Sequence, residues 1–491
     1  MIKGGAQGMY DLREYIDKCS ELGEVQLIEG ADWNLEIGAI AQWQVADPNS
    51  PLLLFDKIKD YEPGYRLCCN MFRTRNREAL ALRLPLRTER GIDLVKAWRD
   101  KVKDGIALIP PVTVETGPIM ENVQTGEDID LYKFPTPKWH EHDGGRYIGT
   151  GHLVITRDPD DEWLNCGTYR VQIQDKNTAT IYMSPGRHAN IVRRKYWAKG
   201  MGCPAVVSIG GDPALFSFSN IELPWKASEF DYAGWLRGKP VEVIHGPATG
   251  LPIPATAEIA IEGEIVPPEV DSRPEGPFGE WTGYYGSAER LEPAFKIKTI
   301  LHRNNPILMS SPPTLPSRTH YLGVWTRRAA EVWNELDKGI PGIQGAYLLD
   351  EPLAGKIGVI SIKQLYIGHA KQVALAAAGN RSLAYLCKWI IVVDDDIDPS
   401  NISEVLWALC SRCEPIEDID FVRQCWGSAL DPRLQPEKRE KRQLDHSTSL
   451  ILACKPYSWI DKYPKDIKLS PEQLNEIKTK WSHVFGSKNL T

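Results

Sequence analysis

The stretch SRPEGPFGEW, residues 272 to 281, places Glu275 and Glu280 five residues apart across a Gly-Pro-Phe-Gly turn. Glycine and proline leave such a turn few shapes, so it can hold one carboxylate to relay a proton and another to deliver it. Burial there would raise the pKa of whichever acid lacks a cationic partner. The same spacing also suits a surface turn with two solvated acids. In NCGTYR, residues 165 to 170, Asn165 offers an amide oxygen and Arg170 a planar fork that binds a carboxylate through two parallel bonds. An arginine at a strand start is equally suited to a solvated or salt-bridged position. His188 opens a helical pattern in SPGRHANIVRRKYW, and Glu229 stands in the first turn of a later one. A neutral histidine there can ligate a metal, and a helix N-terminus can receive phosphate; the ordinary roles are a structural histidine and an acid that complements the helix dipole. Taken together, Asn165, His188 and Glu229 are oxygen and nitrogen donors suited to a Mn²⁺ or Mg²⁺ that also binds phosphate. Arg170 with Glu275 and Glu280 is the set needed to hold, and then protonate, a carbon that has lost CO₂.

The elements that must position these residues fall into three textures. In the first hundred residues helical and strand patterns alternate. Asp11 is placed to cap a helix whose apolar residues Leu12, Tyr15, Ile16, Cys19 and Leu22 follow the 3.6 period, and Gly23 stops it. EVQLI and PLLLF read as strands, with a helical pattern at 74 to 84, which together suggest a small α/β domain. From about 110 to 305 short strands are separated by turn clusters, as in TYRVQIQDKNTATIYM and AFKIKTILHRNNP, with clear alternation at Tyr169, Val171 and Ile173. That spacing suggests a barrel or closed sheet with inserted helices, one of them opening at Ser228 on a capping-box pattern. After about 306, IGVISI, a helix from His369 to Ala378, WIIVV and the helix ISEVLWALCSRC imply a second α/β layer of mostly parallel strands. The tail ends in an amphipathic helix capped by Ser470 and started by Pro471, with Leu474, Ile477, Trp481 and Val484 on one face that must dock on something.

A chain of 491 residues is too long for one ordinary core, so two or three domains are expected. Lys and Arg number 58 against 65 Asp and Glu, and the net charge of -7 argues against a nucleic-acid surface. MIKGGAQGMY contains no apolar run of a signal peptide, and no segment approaches the roughly 20 apolar residues of a membrane span. Ten scattered cysteines then read as reduced thiols of a cytoplasmic protein, Cys410 and Cys413 included. The run Asp394 to Asp396 reads as a strand end entering a turn rather than a metal site.

Five longer motifs occur in order: FPTPKWHEHDGGRYIGTGHLVITRDP, NCGTYR, EGPFGEWTGYYG, HRNNPI and CKWIIVVDDDIDPSNISEVLWAL. From about residue 10 to about 415 the chain thereby resembles the UbiD-like, prenylated-flavin-dependent decarboxylases. The resemblance implies an α/β multidomain fold. Its parts would be an N-terminal α/β region over 1–110, a central split β-barrel like that of flavin reductases over 111–305, and a C-terminal α/β oligomerisation domain over 306–491 with a terminal docking helix. It implies prenylated FMN, made by a separate flavin prenyltransferase. Asn165, His188 and Glu229 would tie the flavin phosphate to Mn²⁺ (or Mg²⁺), with K⁺ nearby and Arg170 against the cofactor. The catalytic set would be Arg170 holding the substrate carboxylate, Glu275 coupled to it, and Glu280 supplying the proton that replaces CO₂. The implied activity is reversible decarboxylation of an aromatic acid, phenolic or hydroxybenzoic first, then heteroaromatic, aryl-CoA or α,β-unsaturated, in a homodimer or homohexamer. A reductase-like flavoprotein binding ordinary FMN, or a non-catalytic subunit, are the rivals from other classes. Trp281, Tyr284 and Tyr285 could line a substrate wall. Phenolic-acid members carry an Asp-Ala-Thr-x-Pro segment where this chain has Asp445, His446, Ser447, Thr448 and Ser449, so the tail beyond about 420 departs from the pattern.

Overall fold

The computed structural model describes residues 9–86, 88–221, 223–286, 288–315, 323–349 and 355–485. Residues 1–8, where most of the N-terminal stretch judged for a signal sequence falls, lie outside the described residues. The first helix, α1 (Leu12–Glu21), begins where Asp11 accepts a hydrogen bond from the Glu14 N–H and ends before Gly23, whose φ of +74° continues no helix. Leu12, Tyr15, Ile16 and Cys19 are buried as their period requires. A four-stranded sheet follows: β1 (Val25–Glu29) runs parallel to β2 (Leu52–Asp56), and β2 is antiparallel to β3 (Arg66–Cys69). Its fourth strand, Ile307–Met309, arrives parallel to β3 from far along the chain, just past the middle of the three textures. The helical pattern at 74 to 84 is the helix Arg75–Ala81, capped by Thr74.

The middle of the chain builds a ten-stranded sheet. Its strands include β4 (Tyr147–Gly149), β5 (His152–Arg157), β6 (Leu164–Gly167), β7 (Val171–Ile173), β8 (Thr178–Ile181), β9 (Cys203–Ile209), β10 (Ile259–Ile265), β11 (Ser272–Glu275) and β12 (Arg290–His302). The order is β4-β7-β8-β12-β10-β9-β5-β6, with β11 and Asn122–Thr125 also pairing to β12. The sheet is open, not the closed barrel expected: its ends, β4 and β6, are not hydrogen-bonded to each other. The reason lies in β12, whose 13 residues pair with four different strands along their length, so the sheet branches instead of closing. Two inserted helices, α2 (His188–Ala198) and α3 (Glu229–Arg237), start beside β6. Ser228 is the N-cap residue of α3 as predicted, but its side chain makes no cap bond to the helix backbone.

The last part holds α4 (Val324–Gly339) and a five-stranded sheet ordered β13 (Ile343–Leu348), β14 (Ile357–Ile362), β15 (Trp389–Asp394), β17 (Asp445–Ala453), β16 (Ile419–Trp426). β14, β15 and β17 are parallel, and both edge strands are antiparallel, so the expected parallel layer is confined to its centre. The helices α5 (His369–Ala378) and α6 (Ile402–Arg412) form where periodicity placed them. Asp394 and Asp396 both accept hydrogen bonds from Arg412, and Asp396 also from Lys455, so the acidic run is an ion-pair knot at the end of β15. All ten cysteines are free thiols, with Cys410 exposed on α6. On α7 (Pro471–Phe485), Ile477, Trp481 and Val484 are exposed and Leu474 is half-buried, so most of the apolar face finds no cover within its own chain among the described residues. No helix among the described residues is long and apolar enough to cross a membrane.

Candidate active site

Arg170 sits one residue ahead of β7, and Glu275 is the last residue of β11, opposite Arg290 of β12. The guanidinium of Arg170 donates from Nε to Glu275 Oε1 at 2.7 Å and from Nη2 to Oε2 at 2.8 Å, and its Nη1 donates to Glu280 Oε1 at 2.5 Å. One arginine thus binds both carboxylates of the 272 to 281 stretch. Glu275 is fully buried, and its second cation, Arg290, lies 3.5 Å away as its cross-strand neighbour. Both guanidinium groups lie over the ring of Tyr182, Arg170 4.6 Å and Arg290 3.8 Å from its centre.

The turn that joins the two acids is held from outside. Gly276 has φ +84°, a conformation glycine adopts freely, and its N–H donates to Gln172 Oε1 at 3.0 Å. Gly144 packs so closely on the Gly276 carbonyl that a Cβ at 144 would overlap it. The Gly144 N–H donates to the Pro277 carbonyl at 2.8 Å, and Asp143 accepts from the Gly279 N–H at 3.1 Å. Tyr147 hydroxyl lies 3.1 Å from Gln172 Oε1 and 3.2 Å from Glu275 Oε1, either of which can accept its proton. Burial raises the Glu280 carboxyl above its ordinary range, against the opposing pull of Arg170. Burial would lower Arg170, but the hydrogen bonds and charge of Glu275 outweigh it and leave the guanidinium firmly protonated.

The second set gathers around β6. Asn165 is buried on this strand, and its amide nitrogen finds no acceptor among the described residues. The N–H of Cys166, next along the strand, donates to Glu229 Oε2 at 3.0 Å. Trp163, which faces the same side as Asn165, packs its ring 5.2 Å from that of His188. His188 and Glu229 are the first residues of α2 and α3, so two helix N-termini converge on one strand. Glu229 is buried, and burial pushes its carboxyl up to about 8, with no cation paired to it among the described residues. Among those residues no three His, Cys, Asp or Glu side chains form a metal cluster.

Sequence reasoning missed Tyr147, Gln172 and Arg290. Gln172 was within reach of the period-2 rule, because it stands two residues beyond Arg170 and points to the same side. Arg290 and Tyr147 carry no local signal, since pairing of distant strands brings them in. Of the proposed aromatic wall, Trp281 is half-buried, while Tyr284 and Tyr285 are exposed, Tyr285 accepting a bond from the His142 N–H.

Comparison with known proteins gives the class first: the chain is a carboxy-lyase. It belongs to the UbiD family, described as 3-octaprenyl-4-hydroxybenzoate carboxy-lyase. The family's N-terminal, Rift-related and C-terminal domains match residues 16–97, 111–316 and 320–453. Over 447 residues the chain is 32% identical to the pyrrole-2-carboxylic acid decarboxylase of Pseudomonas aeruginosa, covering 88% of each protein. It is 29% identical over 455 residues to the phenolic acid decarboxylase of a Streptomyces species, covering 90% of this chain and 92% of that one. Among solved structures, the UbiD-class enzyme HmfF from Pelotomaculum thermopropionicum in complex with FMN superposes with a TM-score of 0.81 at 27% identity, over 96% of this chain and 99% of that one.

Proposed function

We propose that this protein is a prenylated-FMN-dependent, reversible decarboxylase of an aromatic carboxylic acid, most readily a phenolic or hydroxybenzoic acid. The observation that carries the reading is the single guanidinium of Arg170 joined to both Glu275 and Glu280. Losing CO₂ from an sp² carbon leaves an electron pair orthogonal to the ring, which no side chain can delocalise; prenylated flavin, when bound, supplies the electron sink for that step. The chain's own residues supply the rest. Arg170 receives the substrate carboxylate. Glu275 keeps the guanidinium charged and aimed, and Glu280, whose pKa desolvation raises and so favours its acid form, gives its proton to the carbon that CO₂ leaves. Proton transfer of this kind contributes roughly 10²- to 10⁴-fold.

The second set fits a flavin phosphate with its cation. An amide, an imidazole and a carboxylate are donors a Mn²⁺ or Mg²⁺ accepts. Two helix N-termini favour phosphate, and a cation would relieve the buried Glu229 carboxylate. Asn165, His188 and Glu229 would hold the metal, with K⁺ beside it. Three units with boundaries near 110 and 305, assembled through the apolar face of α7 into a homo-oligomer, complete the reading. The pyrrole-2-carboxylic acid relative supports a heteroaromatic acid as the second substrate class.

The test is co-expression with an active flavin prenyltransferase, mass spectrometry of the bound flavin, and CO₂ release across phenolic, heteroaromatic and α,β-unsaturated acids. Prenylated FMN with release from one class supports the proposal and names the substrate. Ordinary FMN with a silent panel overturns it in favour of a reductase-like flavoprotein.

A further inference from the structure

One buried cation near the site takes no part in the chemistry above. Lys356 lies immediately ahead of β14 and is 6% exposed. Its ammonium sits 5.1 Å from the centre of the Trp281 ring, and Trp281 directly follows Glu280. No hydrogen bond or ion pair to that ammonium is formed among the described residues. The nearby acid, Asp431, already has both oxygens occupied: Lys388 donates to Oδ1 at 2.8 Å and lies 2.7 Å from Oδ2, and the Arg433 N–H donates to Oδ1 at 3.0 Å. Among the described residues, two lysines stand against one carboxylate in this corner.

The corner adjoins the turn that carries the acid. A Cβ placed on Gly286 would lie 2.6 Å from Glu280 Cγ and 3.0 Å from Leu430 Cδ2, so Glu280 and Leu430 flank the same glycine. Leu430 is followed by Asp431, which leads back through Lys388 to the strand ends at Lys356. Trp281 on one side and Leu430 on the other thus connect the charged corner to Glu280. That ammonium, set against an aromatic face and with no acceptor among the described residues, is open to one.

We propose that Lys356 determines specificity: its ammonium receives an oxygen substituent, phenolic or carboxylate, on the substrate ring, remote from the carboxylate that is lost. This rests on the aromatic-acid reading above and narrows it to oxygen-substituted rings. Lys388 and Asp431 keep the corner formed, and Trp281 offers the ring face beside it. A charged hydrogen bond of this kind separates substituted from unsubstituted acids by about 10- to 100-fold in kcat/KM.

The experiment uses the cofactor-loaded enzyme and its Lys356→Met variant, which keeps the length and packing of the side chain without the charge; Lys356→Gln is the second variant if the first melts early. Turnover and calorimetric affinity are measured for benzoate, 4-hydroxybenzoate and terephthalate. The expected result is a preference for one oxygen-substituted acid in the wild type, lost by about 10- to 100-fold in the variant through KM more than kcat. A 4-hydroxybenzoate preference identifies a phenolic partner and a terephthalate preference a second carboxylate. Equal discrimination in wild type and variant overturns the role of Lys356. If no acid is turned over with the cofactor verified in place, the decarboxylase reading fails. The affinities then decide Lys356 by themselves, because a charge-dependent preference survives without chemistry and its absence overturns the assignment.

Discussion

The two clusters on either side of Tyr169 are built on opposite electrostatic plans. Around Arg170 every charge has its counter-charge within hydrogen-bond reach: two carboxylates share one guanidinium, and Arg290 backs the buried one. Around Asn165 a carboxylate is buried with backbone N–H groups but no paired cation among the described residues, beside an amide nitrogen without an acceptor among them. The first is a closed network whose geometry its own residues fix before any ligand arrives. The second keeps a carboxyl whose pKa burial lifts to about 8, so on the reading proposed above a bound cation would favour its ionised form and couple binding to stability.

The largest effect that would sharpen this contrast is expected at Glu280. Glu280→Gln should lose roughly 10²- to 10⁴-fold in kcat while the bound flavin, read by absorbance, is retained. Full activity would remove Glu280 as the proton donor. Arg170→Ala should come next, with kcat/KM reduced and the melting temperature lowered, because Glu275 stays fully buried with only Arg290 nearby; losing one partner of a buried pair costs about 3–5 kcal/mol. An unchanged melting curve would show that the network is not closed in the sense argued. In the other cluster, Mn²⁺ at about 100 times its Kd should stabilise the protein by about 2.7 kcal/mol. Glu229→Gln should abolish that gain and Glu280→Gln leave it in place, measured by thermal melts with and without metal. Stabilisation by Mn²⁺ in Glu229→Gln would move the cation elsewhere.

Smaller effects concern protonation and aim. Because burial lifts the Glu280 pKa, the acid form persists at pH values where an ordinary glutamate at 4.5 is ionised, and kcat/KM should fall only as pH rises through the raised value. A profile that already falls as pH rises through the ordinary glutamate value would contradict it. Tyr147→Phe, which removes one of several groups steadying Glu275, should cost only a few-fold in kcat at unchanged flavin content. A loss as large as that of Glu280→Gln would make the hydroxyl a participant.

What the sequence made legible was local. The cap at Asp11, the helix ends at Gly23 and Ala378, and the strand after Arg170 all depend on neighbours within a turn or two. The six candidate side chains fell into their two groups because each lies on a motif whose backbone is fixed by glycine, proline or a helix start. Arg290 and Tyr147 were not legible, since each reaches Glu275 through pairing between segments more than ten residues apart. The branching of β12 was hidden for the same reason: thirteen residues of alternating pattern announce a strand, but not how many partners it takes. Lys356 and Leu430 meet the turn through packing of the C-terminal part of the chain against it, and the family's C-terminal domain matches through residue 453, past the point near 420 where the motifs were expected to lapse.

The chain runs from Asn165 to Arg170 without a helix or an inserted loop, through Cys166, Gly167, Thr168 and Tyr169. An extended backbone spans at most about 3.3–3.6 Å per residue, so five steps allow no more than about 18 Å between the Cα atoms of Asn165 and Arg170. That segment is a ruler. His152 and Thr168 clamp it, the imidazole against the Tyr169 carbonyl at 2.7 Å and the threonine hydroxyl on the His152 carbonyl at 3.1 Å, so it has no slack to absorb a change in length. Side chains in both clusters can be exchanged one at a time, but a single residue added or removed here would change the distance between the two ends of whatever spans them.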